Sequence, residues 1–139
     1  MIGVWCYDNK AENVADVGSG DVLIQTRTMT DVIATRINDG TNVNSGSGLT
    51  DSRGLTTAER TGASAYKTYR NGSVVASKTT ASRAVPSAAM KWLGATATAS
   101  TKTQCAGMMG SSLVDGLGNS LQPQLHNRLY TLLHAIGIA

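Results

Sequence analysis

Short apolar stretches, separated by polar turns that often contain glycine, make up the first 120 residues of the chain. At its start Ile2, Val4 and Cys6 recur at every second position, which predicts a half-buried β-strand. By composition, further strands are predicted over 22–26, 31–37, 41–44, 63–70, 73–79, 87–93 and 102–109. Polar and small residues predict loops over 8–21, 44–54 and 94–101. Pro86 suits the start of the strand that follows it, because no ladder donor is lost there.

Two turns are predicted from their residue types. Asn71-Gly72 joins two of the predicted strands, and this dipeptide favours the two positive φ angles of a type I′ hairpin turn. Asn38-Asp39-Gly40 also follows a predicted strand, and we expect Asp39 and Gly40 to supply the positive φ angles of a second hairpin.

A helical period occurs only at the end of the chain, where it predicts one amphipathic helix over roughly 122–136. Its apolar positions have the offsets 0, 4, 7, 8 and 11, and they are Leu125, Leu129, Leu132, Leu133 and Ile136. Four residues are expected to mark the ends of this helix. Ser120 is the expected N-cap and Pro123 suits the first turn, whereas His134 lies near the negative end of the helix dipole and Gly137 can end the helix in a left-handed conformation.

The order of these elements predicts the fold class. A chain of 139 residues has the length of one domain, so we expect a single domain over 1–139. About eight short strands at even spacing, followed by one terminal helix, are typical of an all-β antiparallel sandwich or jelly roll with a C-terminal α-helix.

Composition and charge narrow the class of function. Charged residues make up only 15% and aromatic residues 4%, with no Phe, which argues against coiled coils and charged helical bundles and predicts a thinly filled core. The net charge is +3, and the Lys and Arg residues are scattered, so a nucleic-acid partner is not favoured. Residues 1–59 hold eight acidic and four basic residues, a net charge of −4. Residues 60–139 hold one acidic and eight basic residues, a net charge of +7. This asymmetry favours either packing against a neighbouring subunit or mixing of the two halves on one surface.

Cysteine use and hydropathy point to a soluble protein made in the cytosol. Cys6 and Cys105 are too few for a disulfide framework and too isolated for a zinc site. We interpret both as small buried residues, with a single bridge between them as the alternative. No secretory signal and no apolar run long enough for a membrane span is present, so no membrane partner is predicted.

The residue types needed for catalysis are present, but not in catalytic patterns. The only histidines, His126 and His134, lie on the predicted helix without an acidic neighbour there, so a metal pair or a triad is not expected. No phosphate-binding glycine loop with its lysine occurs. The acidic residues, nearly all of which lie in predicted turns, are Asp8, Glu12, Asp16, Asp21, Asp31, Asp39, Asp51, Glu59 and Asp115. A pair of them could converge as in a glycosidase, and Asp16 with Asp21 could form a calcium site, but solvated turn residues are the simpler interpretation. The sequence therefore predicts no catalytic residue, no metal and no cofactor.

Two further features have a structural and a functional interpretation. Asn71-Gly72-Ser73 has the form of a glycosylation acceptor, although the hairpin turn explains it better. The rings that could stack on a sugar are also the largest core fillers available, and they are Trp5, Tyr7, Tyr66, Tyr69 and Trp92. We expect most of them to be buried.

The last half of the chain resembles a known family in the order of several motifs. They are AYKTYRNGSVVAS at 65–77, AVP at 84–86, LG at 93–94, GMMGSSL at 107–113 and AIG at 135–137. This order resembles the C-terminal part of the concanavalin-like (laminin-G-like) jelly rolls of tailed-bacteriophage structural proteins, and Ile2 to Trp5 resembles an earlier strand of that fold. Residues 116–119 stand as an insertion relative to the family pattern, and Met109 replaces the common Ile.

The resemblance implies a lectin-like β-sandwich and a place in the virion. The usual domain carries additional N-terminal strands, so the resemblance implies a sandwich that lacks them and that another chain could complete. It implies a non-enzymatic virion component, such as a tail-fibre, tail-tip or capsid-decoration module, synthesised in the host cytoplasm. Its partners would be other virion proteins and further copies of itself in a homo-oligomer. A domain that binds a host-surface glycan is the alternative, and a small glycan hydrolase is a third hypothesis.

Overall fold

The structure, a computed structural model, describes residues 1–85, 87–94 and 99–137, without the side chains of 104–106. The described residues form β1 (Ile2–Cys6), β2 (Val17–Ser19), β3 (Val22–Gln25), β4 (Ala34–Ile37), β5 (Val43–Asn44), β6 (Gly54–Gly62), β7 (Ala65–Arg70), β8 (Ser73–Lys78), β9 (Lys91–Trp92), β10 (Gln104–Met109) and α1 (Gln122–Ala135).

The strands form two antiparallel five-stranded sheets. The first sheet has the order β10-β1-β6-β7-β8, and the second has the order β5-β4-β3-β2-β9. A shared apolar core joins their facing sides, with Val4 and Ala58 from the first sheet against Val17 and Ile24 from the second. The predicted all-β sandwich with one C-terminal helix is therefore confirmed at this level.

The helix α1 covers the outer side of the first sheet. Leu133 packs with Trp5 and Leu55 in a second apolar cluster, and Leu125 and Leu129 pack against its margin. Because one side of β1 faces the second sheet and the other faces the helix, all five of its residues are buried. The prediction of a half-buried strand was wrong for this reason.

The predicted ends of the helix are mostly confirmed. Pro123 lies in the first turn, His134 lies in the last turn, and Gly137 has a φ of 72°. The N-cap is Leu121 rather than Ser120, although the Ser120 hydroxyl accepts a hydrogen bond of 3.3 Å from the Gln122 amide.

The two predicted turns had different outcomes. Asn71 and Gly72 have φ angles of 49° and 81°, so the β7–β8 hairpin has the predicted two-residue turn. β4 and β5 also pair as predicted, but the positive φ in their connection, 50°, belongs to Asn38 and not to Asp39 or Gly40.

Three strand predictions need correction. No element was predicted over 55–62, yet β6 occupies the centre of the first sheet. β2 lies inside the predicted loop 8–21 and pairs with both β3 and β9. Of the predicted strand 87–93 only Lys91–Trp92 forms a strand, and Pro86 lies outside the described residues. The same holds for 95–98, within the predicted loop 94–101.

Candidate functional site

An open cleft of about 410 Å³ lies where α1 crosses one end of the first sheet. The end of β1, the start of β6, the β7–β8 turn and the middle of α1 meet there. Its lining residues are Trp5, Cys6, Tyr7, Arg53, Gly54, Asn71, His126 and Tyr130. We call it the helix–sheet cleft.

Aromatic rings form one wall of this cleft. The buried Trp5 ring stacks on the His126 ring, with a centroid distance of 5.9 Å and an angle of 10° between the planes. The Tyr130 ring lies 6.0 Å from His126 and 4.2 Å from His134. The three helix residues are four apart in sequence, which places them in one row on the helix surface. Tyr130 is 48% exposed, so its ring is accessible from solvent.

Polar groups lie at the mouth of the cleft. Asp51 raises the pKa of the exposed Arg53 guanidinium through a hydrogen bond and its charge. The Asn71 side-chain oxygen accepts a 2.9 Å hydrogen bond from the Leu55 amide, which fixes the orientation of this side chain. Tyr7 is 47% exposed. The cleft thus combines apolar ring surface with hydrogen-bonding groups, as small-molecule sites do.

Cys6, which also lines the cleft, is a buried free thiol. Burial raises its pKa, so it is not an activated nucleophile. The side chain of Cys105 lies outside the described residues.

The structure brings two of the predicted acidic residues together, away from the cleft. The Ser100 hydroxyl lies 3.0 Å from a carboxylate oxygen of Glu12 and 3.0 Å from one of Asp16. Asp16 also forms a 3.2 Å ion pair with Lys102, and both side chains are 0% exposed. A substrate cannot reach Asp16, so this pair does not have the arrangement of a glycosidase.

Glu12 gives this network a predicted dependence on pH. Burial raises the pKa of Glu12, but hydrogen bonds from Thr101 and Lys10 outweigh it and lower the pKa from 4.5 to about 2. The resulting stabilisation is complete above pH 4.5 and is lost as the pH falls toward 2. We therefore expect Glu12→Gln to lose less unfolding free energy than the wild type over this interval, as measured by urea titration.

A second variant checks the cause of this difference. Thr101→Val removes the hydroxyl that donates to Glu12. Like Glu12→Gln, it should therefore reduce the loss of unfolding free energy between pH 4.5 and about 2. Parallel profiles for the wild type and Glu12→Gln would contradict the assigned role of Glu12.

Asp39, another of the acidic residues, is held by its own partners. Asp39 forms ion pairs with Arg60 at 3.3 Å and Lys78 at 3.1 Å. Although burial raises the pKa of Asp39, the hydrogen bonds from Lys78 and Thr41 lower it overall. These contacts fix the loop of Asp39 to β6 and β8, so this carboxylate is held in structural ion pairs.

Glu59 connects the helix to the first sheet. The buried Glu59 carboxylate accepts a hydrogen bond from the Tyr69 hydroxyl and one of 3.1 Å from the side-chain NH₂ of Gln122. Burial and the adjacent Glu59 raise the pKa of Tyr69 to about 12. The Thr57 hydroxyl donates a 2.7 Å hydrogen bond to the side-chain oxygen of Gln122.

The calcium alternative is not supported by the geometry. Asp16 is turned inward to Lys102, Thr26 and Ser100, rather than toward Asp21. In the described part of the chain, no group of three or more His, Cys, Asp or Glu side chains is arranged to hold a metal ion.

The rings considered as sugar contacts are divided between core and surface. Trp5, Tyr66 and Tyr69 are buried, whereas Tyr7 and Trp92 are each 47% exposed. The Trp92 ring packs against Gly107 of β10. A Cβ added to Gly107 would lie only 1.9 Å from the nearest atom of the Trp92 ring. Tyr130 was not among the predicted sugar contacts, although its spacing of four residues from both His126 and His134 was a usable signal.

No protein-family model, curated protein or solved structure matches the chain. Within the described residues, no helix combines the length and the apolar character needed to cross a bilayer.

Proposed function

We propose that the chain is a non-enzymatic, concanavalin-like jelly-roll module of a tailed-bacteriophage virion that acts through contacts with copies of itself and with other virion proteins. The resemblance supports this proposal: its motif at 65–77 covers β7, β8 and the turn between them, the motif at 107–113 begins on β10, and the motif at 135–137 lies at the end of α1. The two antiparallel sheets are compatible with a jelly roll.

The observation that carries the proposal is the apolar surface on the last turns of α1. Leu132 and Ile136 lie one turn apart and are 54% and 57% exposed. They continue the series of Leu125 and Leu129, whose side chains are partly covered by the sheet. Exposed apolar residues in a contiguous row are typical of protein contacts.

We assign this row to contact with a second copy of the chain. The spacing of four, three and four residues from Leu125 to Ile136 is that of a helix–helix seam. A homo-oligomer would remove the row from water.

Assembly is tested by sedimentation of the purified chain over a range of concentrations. We expect a concentration-dependent oligomer for the wild type and a monomer for Leu132→Lys/Ile136→Lys. Lysines near a helix C-terminus are compatible with its dipole, so the variant should still fold. Thr131→Lys/Ala135→Lys adds the same charges at exposed neighbouring positions and should still assemble. A wild-type monomer at every concentration would overturn the proposal.

The helix–sheet cleft favours a second candidate function, a domain that binds a host-surface glycan. Exposed tyrosine rings and nearby hydrogen-bonding groups are the combination that recognises a sugar ring and its hydroxyl groups. Binding without turnover, detected by ligand-observed NMR and lost in Tyr130→Ala, is the expected result. Release of free sugar that one carboxylate substitution abolishes would instead favour a hydrolase.

A further inference from the structure

We infer that the helix–sheet cleft binds a saccharide that carries a carboxylate, through Arg53 at its mouth and the exposed rings of Tyr7 and Tyr130. This inference rests on the second candidate function above, since it specifies the class of glycan. Three properties of the lining residues support it: their charge, their hydrogen-bonding capacity and the form of the space between them.

The lining of the cleft contains a guanidinium that its neighbours engage only in part. Among its described lining residues Arg53 carries a permanent positive charge, and none is an Asp or Glu. Asp51, outside the lining, pairs with Arg53 through Nε and Nη2. Within the described part of the chain Nη1 of Arg53 has no hydrogen-bond partner. A guanidinium can bind one carboxylate and still offer a free edge to another.

A second guanidinium lies behind the first. Arg70 donates hydrogen bonds to the backbone carbonyls of Asp51 and Arg53 and to the Thr56 hydroxyl. Burial lowers the pKa of Arg70, but an arginine remains charged at neutral pH. It therefore holds the segment that presents Arg53 and adds to the positive potential at this end of the sheet.

The remaining polar groups at the mouth offer donors. Because the Asn71 oxygen is already bonded to the Leu55 amide, the side-chain NH₂ is left to donate. Within the described residues this NH₂ has no partner, and neither does the hydroxyl of Tyr7. Donors that converge beside a cation fit a ligand with a carboxylate and several hydroxyl oxygens.

The apolar side of the cleft fits a sugar ring rather than a bare anion. Tyr130 and Tyr7 are each about half exposed, and the stacked Trp5 and His126 rings support the wall behind Tyr130. Aromatic faces bind the C–H surface of a ring and exclude water from it. The volume of about 410 Å³ is within the range of small-ligand sites.

The test compares methyl β-glucuronide with methyl β-glucoside. The two probes differ only at C6, which is a carboxylate in the first and a hydroxymethyl group in the second. We expect the glucuronide to bind at least about tenfold more tightly, as measured by chemical-shift titration of the labelled protein. The advantage should shrink as salt is added, because Arg53 is exposed. Shifts should be concentrated at the amides of 53–54, 71 and 126–130.

Three variants separate the contributions. Arg53→Gln should abolish the preference for the glucuronide, whereas Tyr130→Ala should weaken binding of both probes. Lys91→Gln, at an exposed lysine outside the cleft, should leave both affinities unchanged. The amide spectrum of each variant reports whether it is folded.

The outcomes distinguish this inference from the function on which it rests. Equal binding of the two probes at the cleft would overturn the carboxylate preference and leave glycan binding in place. Shifts confined to residues away from the cleft would overturn the assigned site. Absence of binding by both probes would overturn the inference and the second candidate function together.

Discussion

Lys102→Met is expected to lower the free energy of unfolding by about 3–5 kcal/mol, because it removes one partner of a buried ion pair with Asp16. Both side chains are 0% exposed, so water cannot replace the lost charge. Lys102 also donates hydrogen bonds to the Thr26 hydroxyl at 3.1 Å and the Arg27 carbonyl at 3.2 Å. Chemical denaturation followed by circular dichroism measures the loss.

Two comparisons show whether the buried charge causes this loss. Lys91→Met changes an exposed lysine in the same way and should alter the stability by less than about 0.5 kcal/mol. Asp16→Asn combined with Lys102→Met removes both charges and should recover part of the loss, since the amide can still accept from Thr26. A double variant as unstable as the sum of both single variants would show that the two charges act independently.

Leu133→Ala is expected to cost about 2–4 kcal/mol, while the adjacent Leu132→Ala should cost less than about 0.5 kcal/mol in the unassembled chain. Leu133 is 5% exposed and packs with Trp5 and Leu55, so truncation leaves a cavity under the helix. Leu132 is 54% exposed. Both variants change the same residue type, to the same residue, one position apart in the same helix.

The measurement is thermal and urea unfolding at a concentration low enough to keep the chain monomeric. Equal losses in the two variants would mean that α1 does not hold the described orientation on the sheet. If Leu132→Ala changes stability only at high concentration, the difference measures its part in assembly.

Local signals in the sequence were sufficient for the β7–β8 hairpin and for α1. Asn71-Gly72 determines its turn through the φ angles that these two residues tolerate, whatever surrounds them. The helix follows from a period of apolar residues and from Pro123 and Gly137 at its ends. The buried side of the helix was only partly predictable, because Leu132 and Leu133 are equally apolar in sequence.

β6 could not be predicted, because the partners of its side chains are distant in sequence. Thr56, Thr57 and Glu59 are buried although they are polar, so the strand lacks an apolar alternation. Glu59 is compensated by Tyr69 and Gln122, 10 and 63 residues farther along the chain. Burial of polar groups is favourable only with such partners, and no local pattern reveals them.

The helix–sheet cleft could not be predicted either, because its lining residues are distant in sequence. Four segments separated by up to about 120 residues meet there, and each has a local explanation of its own. Asn71 is a turn residue, His126 and Tyr130 are helix residues, and Arg53 precedes a strand. They become one site only because the fold brings them together. The spacing of four residues between His126 and Tyr130 is the one part of this arrangement that the sequence shows.

The two tryptophans lie at two different boundaries of the fold. Trp5 is buried under α1, whereas the half-exposed Trp92 lies across Gly107, where β9 of one sheet approaches β10 of the other. With no other indole in the chain, single Trp→Phe variants separate their fluorescence. Trp5 emission then reports detachment of the helix, and Trp92 emission reports opening of the sandwich edge. One spectroscopic experiment can thereby establish whether the helix detaches or the sandwich edge opens first on unfolding.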